Sequence, residues 1–283
     1  MRVGGNADSL GRLQLYGTEL REVREVKYLG LMIKYDCTWG LHWKYVKEKA
    51  RRASFAVTRF GGRIRLNVLA MVSIVKAVVR AILFYGVPVW APPKEACFAK
   101  MDEMVVTPVA LALGMPRQAG KLAVMVETAL TPSDIFWDYL CLSVVRRMLR
   151  GKVENPAVAL VKPKEAMRGK EERRGGTVGR VVAALCRSWG INIARVGVGT
   201  LKKERTAQFR KRVKLRFRYD VRVPAPYLAL SRDIVRAIVR FRVGFGPDRV
   251  SLRRRRLLGG DAEVNCRYCE ATVEDAGQLF HRC

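Results

Sequence analysis

The chain has 283 residues, 54 of them Lys or Arg and 25 Asp or Glu, so it carries a formal net charge of +29 on a sequence that is 49% hydrophobic. That apolar fraction excludes global disorder and, at this length, allows one large domain or two ordinary ones. A charge this far from zero opposes compaction unless a polyanion neutralises it, which makes nucleic acid the leading partner class and an anionic membrane the second.

Residues 12–33 read as two short strands, Arg12 to Tyr16 and Val23 to Ile33, joined by a Gly17-Thr18 turn, with Gly30 as a bulge or point of close approach. After Asp36 the period changes: Trp43, Val46, Ala50, Ala53, Val57 and Phe60 form one apolar stripe of a helix that ends at Gly61-Gly62. Its other faces carry Lys44, Lys47, Lys49, Arg51 and Arg52. Leu66 to Phe84 is a nearly all-apolar helix, interrupted by Lys76 and Arg80 and ended at Tyr85-Gly86-Val87-Pro88. Residues 95–113 are helical again, with Pro108 a candidate break. Thr131-Pro132-Ser133-Asp134 is a helix-start signal before the apolar run Ile135 to Leu149. The stretch 151–200, with Pro156, Pro163 and the charged run Gly169 to Gly179, reads as linker around one short helix, Val178 to Trp189. From Lys202 to Arg222 basic residues alternate with Phe209, Val213, Leu215, Phe217 and Tyr219. Ser231 caps a helix to Phe241, ended by Gly244 and Gly246-Pro247.

The charge is unevenly placed. Residues 201–258 hold 19 basic and 4 acidic residues, whereas 259–283 are net acidic. Arg232, Arg236 and Arg240 step by four along one helix face and Arg253, Arg254, Arg255 and Arg256 follow, a pattern that meets successive phosphates, while Phe217 and Tyr219 offer faces for unpaired bases. The alternative reading is a solvated basic face. At the C-terminus Cys266 and Cys269, then His281 and Cys283, have the donor types of a tetrahedral zinc site, although one residue between His281 and Cys283 is tight. Free cysteines in a frayed end are the alternative.

Catalytic signals are sparse. No Asp-Asp dipeptide and no Gly-x-x-x-x-Gly-Lys loop occurs, and only two histidines exist. His42, beside Trp43, reads as a structural hydrogen-bonding residue more readily than as a general base. Cys37, Cys97, Cys141 and Cys186 read as inert packing residues. A two-metal phosphoryl-transfer site needs clustered carboxylates, and none cluster. No uncharged stretch exceeds 13 residues, against the roughly 20 that a spanning helix needs. No apolar run follows Met1, so no secretory signal is expected, and the scattered cysteines suit a nuclear or cytoplasmic, reducing compartment.

Val26-Lys27-Tyr28-Leu29-Gly30-Leu31, followed by Thr38-Trp39-Gly40-Leu41-His42, resembles the reverse transcriptases of non-LTR retrotransposons. Phe84-Tyr85-Gly86-Val87-Pro88-Val89-Trp90 is similar to the Tyr-Gly-x-x-x-Trp element of that family's thumb. Leu113-Gly114-Met115-Pro116 through Glu127 and Pro132 is similar to its next helices. Leu230-Ser231-Arg232 to Gly244 and Cys266 to Cys283 are similar to the C-terminal region with its Cys-Cys-His-Cys knuckle. The motif order covers most of the chain, least of all 151–220.

The resemblance implies a C-terminal piece of an RNA-directed DNA polymerase, mainly α with a small N-terminal β-hairpin. Residues 1–36 would end the palm, with Lys27, Tyr28, Leu29 and Gly30 as the primer grip. Residues 37–150 would form a helical thumb, with Lys44, Lys47, Arg51 and Arg52 on the phosphates of the template–primer duplex. A linker at 151–200 and a basic connector at 201–258, with Arg210, Lys211 and Arg212 among its contacts, would lead to a zinc knuckle at 259–283. The Tyr-x-Asp-Asp strand, the fingers and the endonuclease of the family are not in these 283 residues, so this chain alone is expected to be inactive and Mg²⁺ would act only with a palm supplied elsewhere. The family places its knuckle His where Gln278 stands, so His281 must substitute or the site has decayed. The expected partners are RNA, DNA or an RNA–DNA hybrid, and the rest of the polymerase. A stand-alone zinc-dependent nucleic-acid-binding module, a complete enzyme using Asp36 or Asp102, and a pseudogene remnant without function are the rival readings.

Overall fold

The computed structural model describes residues 14–19, 23–87, 89–90, 94–115, 120–150, 184–193, 195–214, 226–242, 249–254, 264–266, 269 and 273–274. They are mostly helical, with two short antiparallel hairpins near the N-terminus. Strand β1 (Gln14–Leu15) pairs with β2 (Thr18–Glu19), and β3 (Glu25–Tyr28) pairs with β4 (Leu31–Lys34), Tyr28 opposite Leu31. The expected single strand from Val23 to Ile33 is therefore a hairpin. Its two-residue turn has Leu29 at φ 46° and Gly30 at φ 84°, the two positive values that a twist-matched tight turn requires. Gly30 is the turn residue, not a bulge. A Cβ there would lie 3.1 Å from the Tyr85 ring.

Helix α1 (Gly40–Arg63) buries Val46, Ala50 and Val57, three of the stripe residues, but Phe60 is exposed and the helix runs on through Gly61-Gly62. The expected 66–84 helix begins as α2 (Val68–Ile74), capped by Asn67, whose side chain accepts the Ala70 N–H at 2.7 Å. It widens to a π-helical segment, Val75–Arg80, before α3 (Ala81–Leu83). Helix α4 (Ala96–Ala112) passes Pro108 without a break. Proline has no N–H for the Met104 carbonyl, and Ser54 Oγ donates to that carbonyl instead, at 2.8 Å. Helix α5 (Lys121–Thr128) precedes α6 (Ser133–Arg150), which starts at the expected signal, its Ser133 N–H bonded to Asp102 Oδ1 at 2.8 Å. Of the short helix expected at 178–189, residues 184–189 are described and helical. Helix α7 (Val198–Lys214) takes up the start of the basic–aromatic alternation, α8 (Arg232–Arg242) follows a 3-10 turn at Pro226–Ala229, and α9 (Arg249–Arg254) comes last. Arg12, Leu215, Phe217, Tyr219, Gly244, Gly246, Pro247 and the linker prolines lie outside the described residues.

The chain forms two units. The first comprises residues 1–52, 80–102 and 131–220, the second 53–79, 103–130 and 221–283. The first is built on an aromatic ladder: His42 meets Trp90 edge-to-face with centroids 4.6 Å apart, and Trp90 meets Trp137 in the same way at 4.9 Å. Such pairs add about 0.5–1.5 kcal/mol each beyond their burial. A smaller cluster in the same unit packs Met148, Leu149, Cys186 and Ile193 around Val145. The second unit buries Met71, Val72, Met104, Val109, Leu113, Met125, Leu130, Leu228, Val235 and Val239.

His42 is structural, as expected. Fully buried, its Nδ1 accepts the Met32 N–H at 3.2 Å, which ties the hairpin to α1, and burial lowers its pKa from the ordinary 6.5. A depressed histidine pKa means that the unfolded chain binds the extra proton first, so stability is lost as pH falls below about 6.5. Urea unfolding of the wild type and of His42→Asn at pH 7.5 and 5.5 is expected to show the larger acid loss in the wild type. Equal losses would mean that His42 is not the titrating group. Cys97 and Cys141 are buried, the Cys141 thiol pushed up to about 12 by burial, and Cys186 is half-buried. Cys37, expected to be a packing residue, is instead exposed in the turn after β4 at φ 56°. No helix among the described residues is long and apolar enough to cross a membrane.

Candidate nucleic-acid interface

In the first unit the primer-grip-like residues form the tip of the β3–β4 hairpin. Tyr28 and Leu29 are 61% and 71% exposed, so the tip presents apolar and aromatic surface to solvent. The tip is nonetheless held: Tyr85 Oη donates to the Leu29 carbonyl at 2.8 Å, and Trp90 Nε1 donates to the Tyr85 carbonyl at 2.7 Å. Lys27 Nζ lies 5.1 Å from the centroid of the Tyr45 ring on α1, a cation–π contact that leaves the ammonium at the surface. On the solvent side of the same helix Lys44 and Lys47 are exposed. Arg51 and Arg52 share Glu48, at 3.1 and 3.0 Å, and both stay more than two-thirds exposed. Surface pairs of this kind contribute little to stability and do not remove the positive field. Two arginines against one carboxylate leave a net cation.

Of the basic connector, Arg210 and Lys211 are exposed on α7. Arg212 is not a free cation: both of its terminal nitrogens grip the Asp134 carboxylate, at 2.8 and 2.6 Å. Asp134 sits in the first turn of α6, where a carboxylate also complements the helix dipole.

In the second unit the arginine stripe of α8 has a structural task besides its charge. Arg232 Nε and Arg236 Nε both donate to the Ala112 carbonyl, at 3.1 and 3.2 Å, and Arg240 Nε donates to Gly114 O at 3.1 Å. These acceptors are at the C-terminal end of α4, where carbonyls lack partners along the helix and cations are favoured. The helix stops in a left-handed turn, with Gly114 at φ 62°, Met115 N–H bonded to Ala110 O and Gly114 N–H to Leu111 O. A Cβ on Gly114 would lie 3.0 Å from the Arg236 side chain. Positive φ and close approach both require glycine there. Arg253 is exposed on α9, whose backbone includes Arg254. Arg255 and Arg256 lie outside the described residues.

The C-terminal cysteines provide half of a metal test. Cys266 is buried and Cys269 exposed; both lie in the chain between Asn265 and Val273, which form a bridge, and the buried Glu274 next to it accepts the Arg249 N–H at 3.0 Å. Two thiols are two of the four donors of a tetrahedral site. Among the described residues no group of three or more metal-ligating side chains occurs, and His281, Cys283 and Gln278 lie outside them.

The two aspartates of the complete-enzyme reading are both engaged in local structure. Asp36 accepts from Thr38 N and Oγ1, which hold its carboxyl down to about 2. Asp102, raised by burial, caps α6. Tyr85, the latch of the hairpin tip, belongs in the sequence to the helix-ending Tyr85-Gly86-Val87-Pro88 and to the thumb-like motif, and neither reading assigns it this contact. Its signal was the Tyr-Gly step, because a glycine after the ring allows the chain to reverse with φ 77° at Gly86. Comparison of the chain with protein-family models, with curated proteins and with solved structures returns no match.

Proposed function

We propose that this chain grips a template–primer duplex as the C-terminal part of a non-LTR retrotransposon reverse transcriptase, with catalysis supplied by a palm that these residues do not contain. The observation that carries the reading is the exposed Tyr28-Leu29 tip, latched by Tyr85 and seated on an α1 whose solvent side bears Lys44, Lys47, Arg51 and Arg52. An apolar and aromatic tip beside a row of cations suits a strand end lying next to its phosphate backbone. The arginines of α8 add a second basic surface in the other unit. Cys266 and Cys269 would take part in a knuckle completed by His281 and Cys283, with zinc as a structural staple that closes a segment too small to have its own core.

Filter binding of an RNA–DNA hybrid between 50 and 200 mM salt tests the reading. With six or more phosphate contacts, affinity is expected to fall by about 10³-fold or more over that range, and Lys44→Ala with Lys47→Ala to reduce the log–log slope by about two. Tight binding that ignores salt would remove the proposal. Ending the chain at residue 258 separates it from the stand-alone zinc module: the grip should persist without the Cys-rich tail, and its collapse would favour the module.

A further inference from the structure

The C-terminal half of α1 leaves large apolar side chains uncovered. Phe55 is 64% exposed, and Ile64 and Phe60, the last residue of the stripe expected to face the core, are each more than half exposed. Single exposed apolar residues are ordinary, but three within the ten residues 55–64 of one helix mark a surface that something meets. The helix is not short of packing on its other side. There Val57 is buried, Ser54 Oγ is bonded to the Met104 carbonyl, and a Cβ on Gly61 would collide with the Met71 side chain.

The charge of the same stretch has one sign. No residue from 49 to 94 is acidic, and Arg59, Arg63 and Arg65 are exposed. Arg59 follows Phe55 by four and Arg63 follows Phe60 by three, the spacings of neighbours on a helix surface. The Arg59 guanidinium carbon is 5.7 Å from the centroid of the Phe55 ring, a cation–π contact that steadies the ring and leaves it open to solvent. Burial lowers the pKa of Arg232 on α8 and the charges of Arg236 and Arg65 lower it further, so the basic surface of this unit continues from the end of α1 to α8. A partner for this face must be anionic and must also offer apolar faces. A lipid surface has both, but at 3.6 residues per turn Phe55 and Phe60 leave the helix about 140° apart, too far round for one flat surface to take both. A duplex has the charge and keeps its base faces stacked inside. An unpaired strand has phosphates and separate bases that turn independently.

We infer that the C-terminal half of α1 seats an unpaired nucleic-acid strand, its bases stacking on Phe55 and Phe60 and its phosphates meeting Arg59, Arg63 and Arg65. The inference rests on the proposed nucleic-acid grip for its partner class and adds a second form of that partner, single-stranded as well as duplex. It assigns the work to aromatic rings, which the duplex grip on Lys44, Lys47, Arg51 and Arg52 does not use.

The experiment measures binding of the full chain to an oligothymidylate, to an abasic strand of the same length, to a blunt RNA–DNA hybrid and, by co-sedimentation, to vesicles rich in phosphatidylserine. Phe55→Ala is expected to weaken oligothymidylate binding about tenfold, the scale of one base–aromatic stack, and Phe60→Ala to do the same. Phe55→Trp is expected to keep it, because the ring remains. The abasic strand and the hybrid are expected to bind the variants as they bind the wild type, and circular dichroism to show the helices unchanged, since both phenylalanines are exposed. No loss in the alanine variants, or an equal loss on the abasic strand, overturns the inference, and a loss confined to the vesicles gives the face to lipid instead. Oligothymidylate binding absent while hybrid binding persists overturns this inference alone. Hybrid binding absent while phenylalanine-dependent oligothymidylate binding persists upholds it and overturns the duplex grip.

Discussion

Arg242→Ala is expected to destabilise the protein by about 3 kcal/mol or more, because it strands a carboxylate in the core. Glu127 is 2% exposed in its side chain, accepts Arg242 Nε at 2.9 Å, and is bonded by the Tyr227 hydroxyl as well. The bridge joins a partly exposed cation to a carboxylate that is almost fully buried. Most of the cost arises from leaving Glu127 without its cation, not from losing the attraction itself, since Arg242 is 40% exposed and already partly hydrated. The double variant Arg242→Ala with Glu127→Gln is therefore expected to recover part of the loss. Urea denaturation at pH 7 reads both effects. A single-variant change below about 1 kcal/mol would mean that water reaches Glu127.

Trp90→Ala is expected to cost about 3–5 kcal/mol, the range for deleting a buried aromatic side chain. Trp90 is 1% exposed and joins His42 to Trp137, so its removal leaves a cavity lined by two rings. It also frees the Tyr85 carbonyl, and with it the support of the latch on Leu29. Hybrid binding should therefore weaken in this variant under conditions where circular dichroism shows the helices intact. Trp90→Phe, which keeps a ring but not the indole N–H, is expected to lose less stability while still loosening the tip. Binding unchanged in Trp90→Phe would separate the latch from the grip.

Elements defined by local pattern were legible in the sequence. The stripe Val46, Ala50, Val57 located α1, and Thr131-Pro132-Ser133 marked the start of α6 to within two residues, because capping chemistry is local. What failed depended on distant partners. Pro108 signals a break to any local reading, and the Met104 carbonyl that it leaves without an N–H is met by the Ser54 hydroxyl, 50 positions away in the chain. The hairpin at Leu29-Gly30 looked like one strand because Leu29 is a poor residue for positive φ, and its conformation is imposed by the Tyr85 latch. Of the candidate site, the exposed lysines of α1 were readable from helical spacing. That Arg212, Arg232, Arg236 and Arg240 each hold an internal acceptor was not, since their acceptors are 78 to 126 positions away. Arg80 was visible as an interruption of an apolar helix. Its burial against Phe136 belongs to three-dimensional packing and had no signal in the chain.

The capping of α4 by the α8 arginines changes how those charges could be used. A free surface arginine surrenders about 2 kcal/mol of rotamer entropy when a ligand immobilises it. Arg236 and Arg240 are anchored at Nε to backbone carbonyls before any ligand arrives. Their freedom is given up during folding, so an incoming phosphate would meet guanidiniums already pointing one way. Replacing either by lysine would keep the charge and lose this preorganisation, so the difference between the two residues would appear in residence time more than in the salt slope.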